Sequence, residues 1–357
     1  MAGSPAALKV LHRRYGKEHI AQGRQPDDEH GGQRRHGRRL AARHRGHPRW
    51  MAADSRPGAT LARAMDDPAI QSLVGTHQVS CSGPVRLAVR RDWVAALPLR
   101  DMLAGAPIRS WGQPLPHDYI GRASIDVLDT AAGALVAKAL TRGGVLGPLL
   151  PDRFVNWRRP WAEALLAEQL SARGCPTPPV VVVRSTAGPG GLHRLELATA
   201  RVEGAVDLLE ALRSQADPRP LAALAGRTLR KLHDAGLRHR DLQVKNLLVR
   251  GDGAPVELAW VIDLDRCRLG QALGQEPRLA SLTRFTRSLV KRGVLPATAG
   301  QGAVPWSACR AFLQEYGGLD GLSAAALSRR LRGRLARQLR WRGWSRRPVL
   351  VSGTGRH

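Results

Sequence analysis

Apolar and polar positions along the chain predict a strand-rich part followed by a helix-rich part. From about Pro84 the chain shows short apolar runs, "VRLAVRR", "ASIDVLDT" and "GALVAKAL", with the turn residues "DTAAG" between the last two. Such runs are typical of antiparallel strands. "PPVVVVRS" and "HRLELATARV" predict two more strands. One helix is predicted before them in "RRPWAEALLAEQLSARG", with Pro160 in its first turn and Gly174 at its end.

Beyond Glu203 and Gly204 the apolar spacing becomes helical. "AVDLLEALRS" and "PRPLAALAGRTLRKLHDAG" predict two helices, the second ending at Gly236. A loop, "LRHRDLQVKN", leads into the strand "LLVR", and the turn "GDGAP" precedes a second strand in "LAWVIDLDR". The pattern predicts an α+β fold with an antiparallel sheet and one helix in its first lobe and a mainly helical second lobe.

The two ends of the chain differ from this middle part. Residues 1–66 are rich in Arg, His and Gly with almost no apolar periodicity, which predicts a disordered basic extension. A nucleic-acid arm is the alternative, and translation starting at Met51 or Met65 is another. The remaining chain divides into a first lobe at 67–202, a second lobe at 203–320 and a basic C-terminal helix and tail at 321–357.

The C-terminal helix carries an apolar stripe between arginines. Leucines recur every fourth residue from Leu327 to Leu339, and Trp341 and Trp344 follow. The stripe fits an anionic membrane surface, and it equally fits a helix that packs on the second lobe. The two tryptophans favour contact with a membrane surface, because tryptophan is common at membrane interfaces.

Composition and charge narrow the class of protein. The 357 residues are 43% apolar and carry a formal net charge of +27, which predicts a globular protein attracted to polyanions such as phosphorylated glycolipid, acidic lipid or nucleic acid. Four scattered cysteines give no disulfide or zinc pattern. No run of 18 apolar residues and no signal peptide is evident, so we expect a cytoplasmic protein with at most peripheral membrane contact.

Three oxygen-bearing side chains flank the hairpin of the second lobe. Asp241 and Asn246 lie on the loop before its first strand, and Asp263 follows the second. A hairpin brings its loop ends together, so Asn246 and Asp263 are predicted to hold one Mg²⁺ with nucleotide phosphates. Asp241 is then placed to deprotonate an attacking hydroxyl. Asp265 and Arg266 are expected to form an ion pair that packs this loop.

The first lobe supplies a cation. Lys138 lies in the apolar strand "ALVAKAL", where a lysine is costly without a partner, and Glu163 lies on the following helix. We expect Glu163 to hold Lys138 toward the nucleotide phosphates. The turn around Gly121 in "YIGRASIDV" allows the backbone to approach those phosphates.

The order of these motifs resembles a protein kinase. "HRD" at His239 to Asp241, with Asn246 after four intervening residues, is similar to the kinase catalytic loop. "VIDLD" stands where the magnesium-binding motif of kinases lies, and "VAKAL" where their phosphate-pairing lysine lies. The resemblance implies a two-lobed protein-kinase-like fold over roughly residues 110 to 320, with ATP and Mg²⁺ as cofactors and His239 supporting the loop. Lys245 approaches the γ-phosphate or faces solvent.

Finer matches resemble the lipopolysaccharide kinases, which phosphorylate Kdo or heptose. These are "LTRGGVLGPLLPDRF", the Arg-x-x-x-Glu helix in "RPWAEALLAEQLSARGCPTPP", and "VIDLDRCRLG" followed by "RLASLTRFTRSLVKRG". The resemblance implies an ATP-dependent phosphotransferase acting on a sugar hydroxyl of an anionic, lipid A-linked glycolipid. Gln243 departs from the family's DLNxxN pattern and leaves the acceptor sugar open.

Two other classes of function remain open. One is a kinase of this fold with a different acceptor, either an aminoglycoside-type small molecule or a protein. The other is a non-catalytic protein that uses its basic ends to bind nucleic acid or membrane. The intact catalytic positions argue against this class, and nucleic acid is an unlikely partner.

Overall fold

The computed structural model describes residues 66–114, 125–141, 152–250, 259–295, 304–317 and 322–341. Gly121, the "RGG" segment and Trp344 lie outside these ranges, as does the basic extension except for its last residue. The described helices are α1 Pro68–Gln71, α2 Leu99–Ala104, α3 Arg159–Ala172, α4 Leu208–Ser214, α5 Arg219–Asp234, α6 Gln275–Lys291, α7 Trp306–Tyr316 and α8 Ala324–Trp341. The described strands are β1 His77–Ser82, β2 Val85–Arg90, β3 Gln113–Pro114, β4 Ile125–Thr130, β5 Gly133–Ala139, β6 Val180–Ala187, β7 His193–Ala200, β8 Ala205–Asp207, β9 Leu237–Arg238, β10 Leu247–Arg250, β11 Ala259–Val261 and β12 Arg268–Leu269.

A seven-stranded antiparallel sheet forms the first lobe, in the order β1-β2-β6-β7-β5-β4-β3. The predicted hairpin of β4 and β5 is confirmed, and its register pairs Ile125 with Lys138. On its other side β5 pairs with β7, which places Lys138 opposite Leu197. Lys138 therefore lies on a strand with neighbours on both sides, which fixes the backbone that carries it.

Both faces of this sheet are covered. α3 packs on one face through Trp161, while Met102 of α2 and Ile108 pack on the other. The prediction of a single helix in this lobe was therefore incomplete. The helices α1 and α2 are only four and six residues long. They are too short to show a 3.6-residue apolar period in the sequence.

The segment over the second face is fastened by a buried ion pair. Arg184 on β6 and Glu196 on β7 are directly opposite and joined by a hydrogen bond. Arg184 also donates to the carbonyl of Met102 at 3.1 Å, and Glu196 accepts from the backbone N–H of Ile108 at 3.0 Å. These bonds satisfy the buried charges, and they hold α2 on the sheet.

The second lobe is mainly helical, as predicted, and its helices are α4 to α7. α5 and α7 approach closely at Gly226, where a Cβ atom would lie 2.4 Å from the carbonyl oxygen of Phe312. One local prediction was wrong: Ala205 to Asp207 form β8 rather than the first turn of a helix. β8 pairs with β10, and the Asp207 side chain accepts from Glu210 N at 2.9 Å as the N-cap of α4.

The leucine stripe of α8 packs on the protein. Leu327, Leu331 and Leu335 are 0%, 7% and 2% exposed. The first two belong to the main core, and Leu335 packs with Val290 of α6. Of the two interpretations of the stripe, packing on the second lobe is the one that the structure shows for these leucines. None of the described helices is long and apolar enough to cross a membrane.

Candidate active site

Lys138 joins the two lobes at the predicted site. Its Nζ lies 2.9 Å from Glu163 Oε1 on α3 and 3.4 Å from Asp263 Oδ1 of the second lobe. The side chain of Glu163 is only 4% exposed, whereas that of Asp263 is 48% exposed. The structure thus brings together three residues that are far apart in sequence, in the contact that was expected for Lys138 and Glu163.

The charges of this cluster are strongly coupled. Burial opposes the charged form of Lys138, but Glu163 and then Asp263 outweigh burial and raise the pKa of Lys138 above its ordinary value. Burial raises the pKa of Glu163, and Lys138 counteracts that effect. Lys138 is therefore a cation at neutral pH, held between Glu163 of the first lobe and Asp263 of the second lobe.

The predicted catalytic loop has an internally bonded geometry. The side-chain amide of Asn246 donates to the carbonyl oxygen of Asp241 at 2.8 Å, which leaves the amide oxygen of Asn246 available. The Asp241 carboxylate accepts from Gln243 Nε2 at 2.6 Å. Arg292, at the end of α6, donates to Gln243 Oε1 at 3.0 Å. A relay from Arg292 through Gln243 thus orients the carboxylate of Asp241.

His239 supports the predicted catalytic loop through two contacts with backbone atoms. Its Nε2 lies 3.1 Å from the carbonyl of Ile262, and its Nδ1 lies 3.3 Å from the backbone N–H of Asp241. Since the carbonyl only accepts and the N–H only donates, both contacts fit a neutral ring protonated at Nε2. Burial lowers the pKa of His239, in agreement with the neutral form.

The hairpin aligns Asn246 with Asp263, as predicted. The register of β10 and β11 pairs Leu247 with Val261, and Ile262 N donates to the carbonyl of Asn246 at 3.0 Å. Asp263 follows at once with φ of 60°, in the left-handed region that few non-glycine residues adopt. This turn directs its carboxylate toward Lys138.

Arg159 is a site residue that we did not predict. It lies one turn before Glu163 on α3 and makes two hydrogen bonds to the carboxylate of Asp265. The expected partner of Asp265, Arg266, lies farther away at 3.9 Å. The Arg-x-x-x-Glu spacing could have indicated that Arg159 lies near the site, because residues four apart lie on the same face of a helix and Glu163 was already a candidate. α3 therefore contacts both Lys138 and the loop that carries Asp263.

Lys245, another predicted binding residue, stands apart from this cluster. Lys245 Nζ lies 3.9 Å from Asp207 Oδ2, at the N-terminus of α4, and its side chain is 29% exposed. Gly121 lies outside the described residues.

The donor set fits a hard cation supported by phosphates. Asn246 offers an amide oxygen and Asp263 an exposed carboxylate, and Mg²⁺ is usually bound by one or two such ligands together with phosphate oxygens. Within the described ranges, no group of three or more His, Cys, Asp and Glu side chains is placed to hold a metal without such phosphates.

An antiparallel sheet that carries Lys138, a helix that carries Glu163 and a mainly helical second lobe that carries Asp241 and Asp263 are consistent with a kinase-like fold. The family model described as "Lipopolysaccharide kinase (Kdo/WaaP) family" matches residues 121–303. The chain belongs to this family.

Curated relatives agree with the family match. The chain is 32% identical over 155 residues to a 3-deoxy-D-manno-octulosonic acid kinase of Haemophilus influenzae, covering 42% of this chain and 63% of that protein. The corresponding protein of Photobacterium profundum is 33% identical over 154 residues, covering 42% and 62%. That of Vibrio cholerae is 31% identical over 175 residues, covering 47% and 71%. The chain thus spans a little under two thirds of the first two relatives.

A solved structure titled "WaaP in complex with acyl carrier protein" also matches this fold. It has a TM-score of 0.43 and 18% identity, and the match covers 72% of this chain and 95% of that chain. A likeness of this degree fixes neither substrate nor partner.

Proposed function

We propose that this protein is an ATP-dependent kinase that phosphorylates a sugar hydroxyl, of Kdo or heptose, in the inner core of lipopolysaccharide. The observation that carries the proposal is the position of Lys138 Nζ, 2.9 Å from Glu163 and 3.4 Å from Asp263. A cation held between a buried carboxylate and an exposed one suits the binding of nucleotide phosphates. Family membership supports the sugar acceptor.

Asp241 is the proposed base. Gln243 holds one of its oxygens at 2.6 Å, which leaves the other free to accept the proton of the acceptor hydroxyl. As the hydroxyl oxygen bonds to the γ-phosphorus of ATP, the bond from that phosphorus to the bridging oxygen breaks and ADP leaves. The protein contributes position and charge, which dominate catalysis of phosphoryl transfer.

The other predicted residues bind the nucleotide. Lys138, kept in place by Glu163, pairs with the phosphates, and Lys245 approaches them from the loop. Gly121 lies on the turn assigned to the phosphates. Asn246 and Asp263 would hold Mg²⁺, whose charge neutralises the phosphate oxygens.

Replacing Asp241 tests the proposed base. D241A is expected to abolish transfer of labelled phosphate from ATP to Kdo- or heptose-bearing lipid A, while the Kd for ATP changes less than about threefold because no phosphate contact is lost. D101A, an exposed aspartate on α2, is the control and should behave as the unchanged protein. Turnover retained in D241A contradicts the mechanism.

One structural feature argues against a protein as the acceptor. Only residues 270–274 separate β12 from α6, which leaves no room for the long activation segment of protein kinases. A screen with labelled ATP over lipid A-linked sugars, aminoglycosides and a protein substrate decides among acceptors. Transfer confined to aminoglycosides or protein overturns the proposed sugar acceptor.

We also propose that the protein works at the cytoplasmic face of the inner membrane, in peripheral contact through arginines of α8. Because the leucines are buried, the exposed arginines, including Arg329 and Arg337, form the outward surface of this helix. No acidic residue occurs between Ala324 and Trp341. Each arginine near an anionic leaflet contributes about 1 kcal/mol.

Vesicle sedimentation tests this contact. Binding to phosphatidylglycerol vesicles should exceed binding to phosphatidylcholine vesicles and weaken with salt. R329Q/R337Q should reduce it roughly tenfold or more, since two favourable charges are lost. The control R219Q/R227Q removes two charges of α5 that are already paired, Arg219 with Asp217 just before this helix and Arg227 with Glu315 on α7. Equal losses in both variants would argue against a specific role for α8.

A further inference from the structure

A pocket with two arginines and no acid adjoins the catalytic loop. It has a volume of about 370 Å³ and lies beside the ribbon of β9 and β12. Arg238 and Arg268 line it, together with glycines, Leu269 and Gln271 among others. Its described lining contains no Asp or Glu.

The two arginines face each other across the ribbon. The antiparallel register pairs Arg268 directly with Arg238, so their Cβ atoms are about 5 Å apart and their side chains leave the same face. Both are exposed. Like charges in directly opposite positions are unfavourable in a sheet. In the part of the chain that the structure describes, neither guanidinium contacts a carboxylate, so nothing there offsets the repulsion.

The backbone around the pocket is fixed in advance of any ligand. Gly236 has φ of 85°, and a Cβ atom there would lie 2.3 Å from the carbonyl oxygen of Gly270. Gly270 N donates to Gly236 O at 3.2 Å, and Arg173 donates to Gly270 O at 2.7 Å. The two segments that carry the arginines are therefore locked together, which lowers the entropic cost of binding.

The two arginines of the pocket lie close in sequence to the residues that we propose to act in the reaction. Arg238 lies three residues before Asp241, and three residues of chain span at most about 11 Å. Arg268 lies five residues after Asp263. An acceptor of two or more sugars is long enough to span this distance, so it could place a charged group in the pocket with its hydroxyl at Asp241.

The geometry points to an anion site for the acceptor: Arg238 and Arg268 together bind a carboxylate or phosphate group of the glycolipid, at a position other than the hydroxyl that is phosphorylated. This assignment rests on the proposed function for the identity of the ligand. Paired guanidinium groups match planar carboxylate and tetrahedral phosphate well. The ligand would also relieve the repulsion between the arginines.

The test compares R238Q/R268Q with R219Q/R227Q, which removes the same two charges from α5. With Kdo-bearing lipid A and saturating ATP, R238Q/R268Q should raise the acceptor KM by roughly tenfold to a hundredfold, because charged hydrogen bonds are lost. The kcat and the KM for ATP should change less than about threefold. The control should change none of these values. An unchanged acceptor KM in R238Q/R268Q overturns the assignment.

A binding measurement separates this site from the proposed function. Inorganic phosphate is titrated against chloride at equal ionic strength, with Tm as the readout, in the absence of nucleotide. The unchanged protein and R219Q/R227Q should be stabilised by phosphate, and R238Q/R268Q should lose most of that shift while remaining folded; any remaining shift reflects phosphate bound at Lys138. If no acceptor is phosphorylated but this difference holds, the function fails and the anion site stands. If phosphate acts equally on all three proteins, or on none, the anion site fails.

Discussion

The contact between Lys138 and Glu163 makes a quantitative prediction for a double-mutant cycle. The perturbations are K138M, which removes the cation, and E163Q, which keeps the shape of the glutamate and removes its charge. If Glu163 acts only by holding Lys138, then E163Q should matter when Lys138 is present and lose its effect when Lys138 is absent.

The expected magnitude follows from the distances. At 2.9 Å and an effective dielectric constant of 20, the gross attraction between the two charges is about 6 kcal/mol. Desolvation of the 4% exposed Glu163 opposes much of it. Asp263 at 3.4 Å also continues to hold Lys138 in E163Q. We expect a net coupling of about 2 kcal/mol, which is about 30-fold in kcat/KM for ATP.

The assay measures kcat/KM for ATP and the Kd for ATP with Mg²⁺ in four proteins. K138M should lose about a hundredfold or more in kcat/KM, and K138M/E163Q should match it within about threefold. The control is E168Q, which removes a carboxylate of the same helix that pairs with Arg90 at 2.6 Å, away from the cleft. If the losses of K138M and E163Q multiply in the double variant, Glu163 does not act through Lys138 and our reasoning is refuted.

Three further predictions concern supporting residues. R159M should lower kcat roughly tenfold with little change in acceptor KM, because the loop that carries Asp263 loses its bonds to α3; R219M, which removes a surface arginine paired with Asp217 outside the site, is the kinetic control. Q243M should lower kcat by about tenfold, because the Asp241 carboxylate loses the hydrogen bond that orients it. ATP affinity should stay unchanged, because Gln243 is not among the proposed phosphate ligands. An unchanged kcat would speak against the relay from Arg292 through Gln243 to Asp241. Burial lowers the pKa of His233 to about 3, below the ordinary value of 6.5, so its contribution to stability is present above pH 6.5 and is lost as the pH falls toward 3. Urea unfolding at pH 7.5 and 5 should show a loss about 2 kcal/mol larger in the unchanged protein than in H233Q; equal losses would mean that His233 is not buried in its neutral form.

The sequence predicted those parts of the site that follow from local chemistry. A lysine within an apolar strand requires a carboxylate, and the following helix supplied Glu163 as the candidate. The predicted hairpin implied that Asn246 and Asp263 lie together at the open end of its two strands, because strand pairing leaves little freedom in that placement. The antiparallel sheet and the helical second lobe were predictable for the same reason: apolar period and turn residues are local signals.

The parts that were missed depend on packing between distant segments. The bonds from Arg159 to Asp265 and from Arg292 to Gln243 join residues on different elements, and no spacing in the sequence fixes such pairs. Only the final arrangement of α3 and α6 creates them. The leucine stripe of α8 shows a different limit, because an apolar stripe beside arginines is the same pattern for a lipid surface and for a protein core. Burial of Leu327 by the second lobe decides between them.

The two carboxylates around Lys138 differ in a way that assigns them different tasks. Glu163 is buried, lies on a helix and is close to Lys138, so we expect it to remain a fixed partner of Lys138 during turnover. Asp263 is half exposed, lies 0.5 Å farther away (3.4 against 2.9 Å) and is carried by a turn in the left-handed region. Since Arg159 fixes that turn to α3 through Asp265, the Asp263 side chain can rotate toward a cation while its backbone stays in place. The same helix therefore holds Lys138 directly and the loop of Asp263 through Asp265, so the alignment of the groups that we propose to bind phosphate and metal depends on how α3 packs.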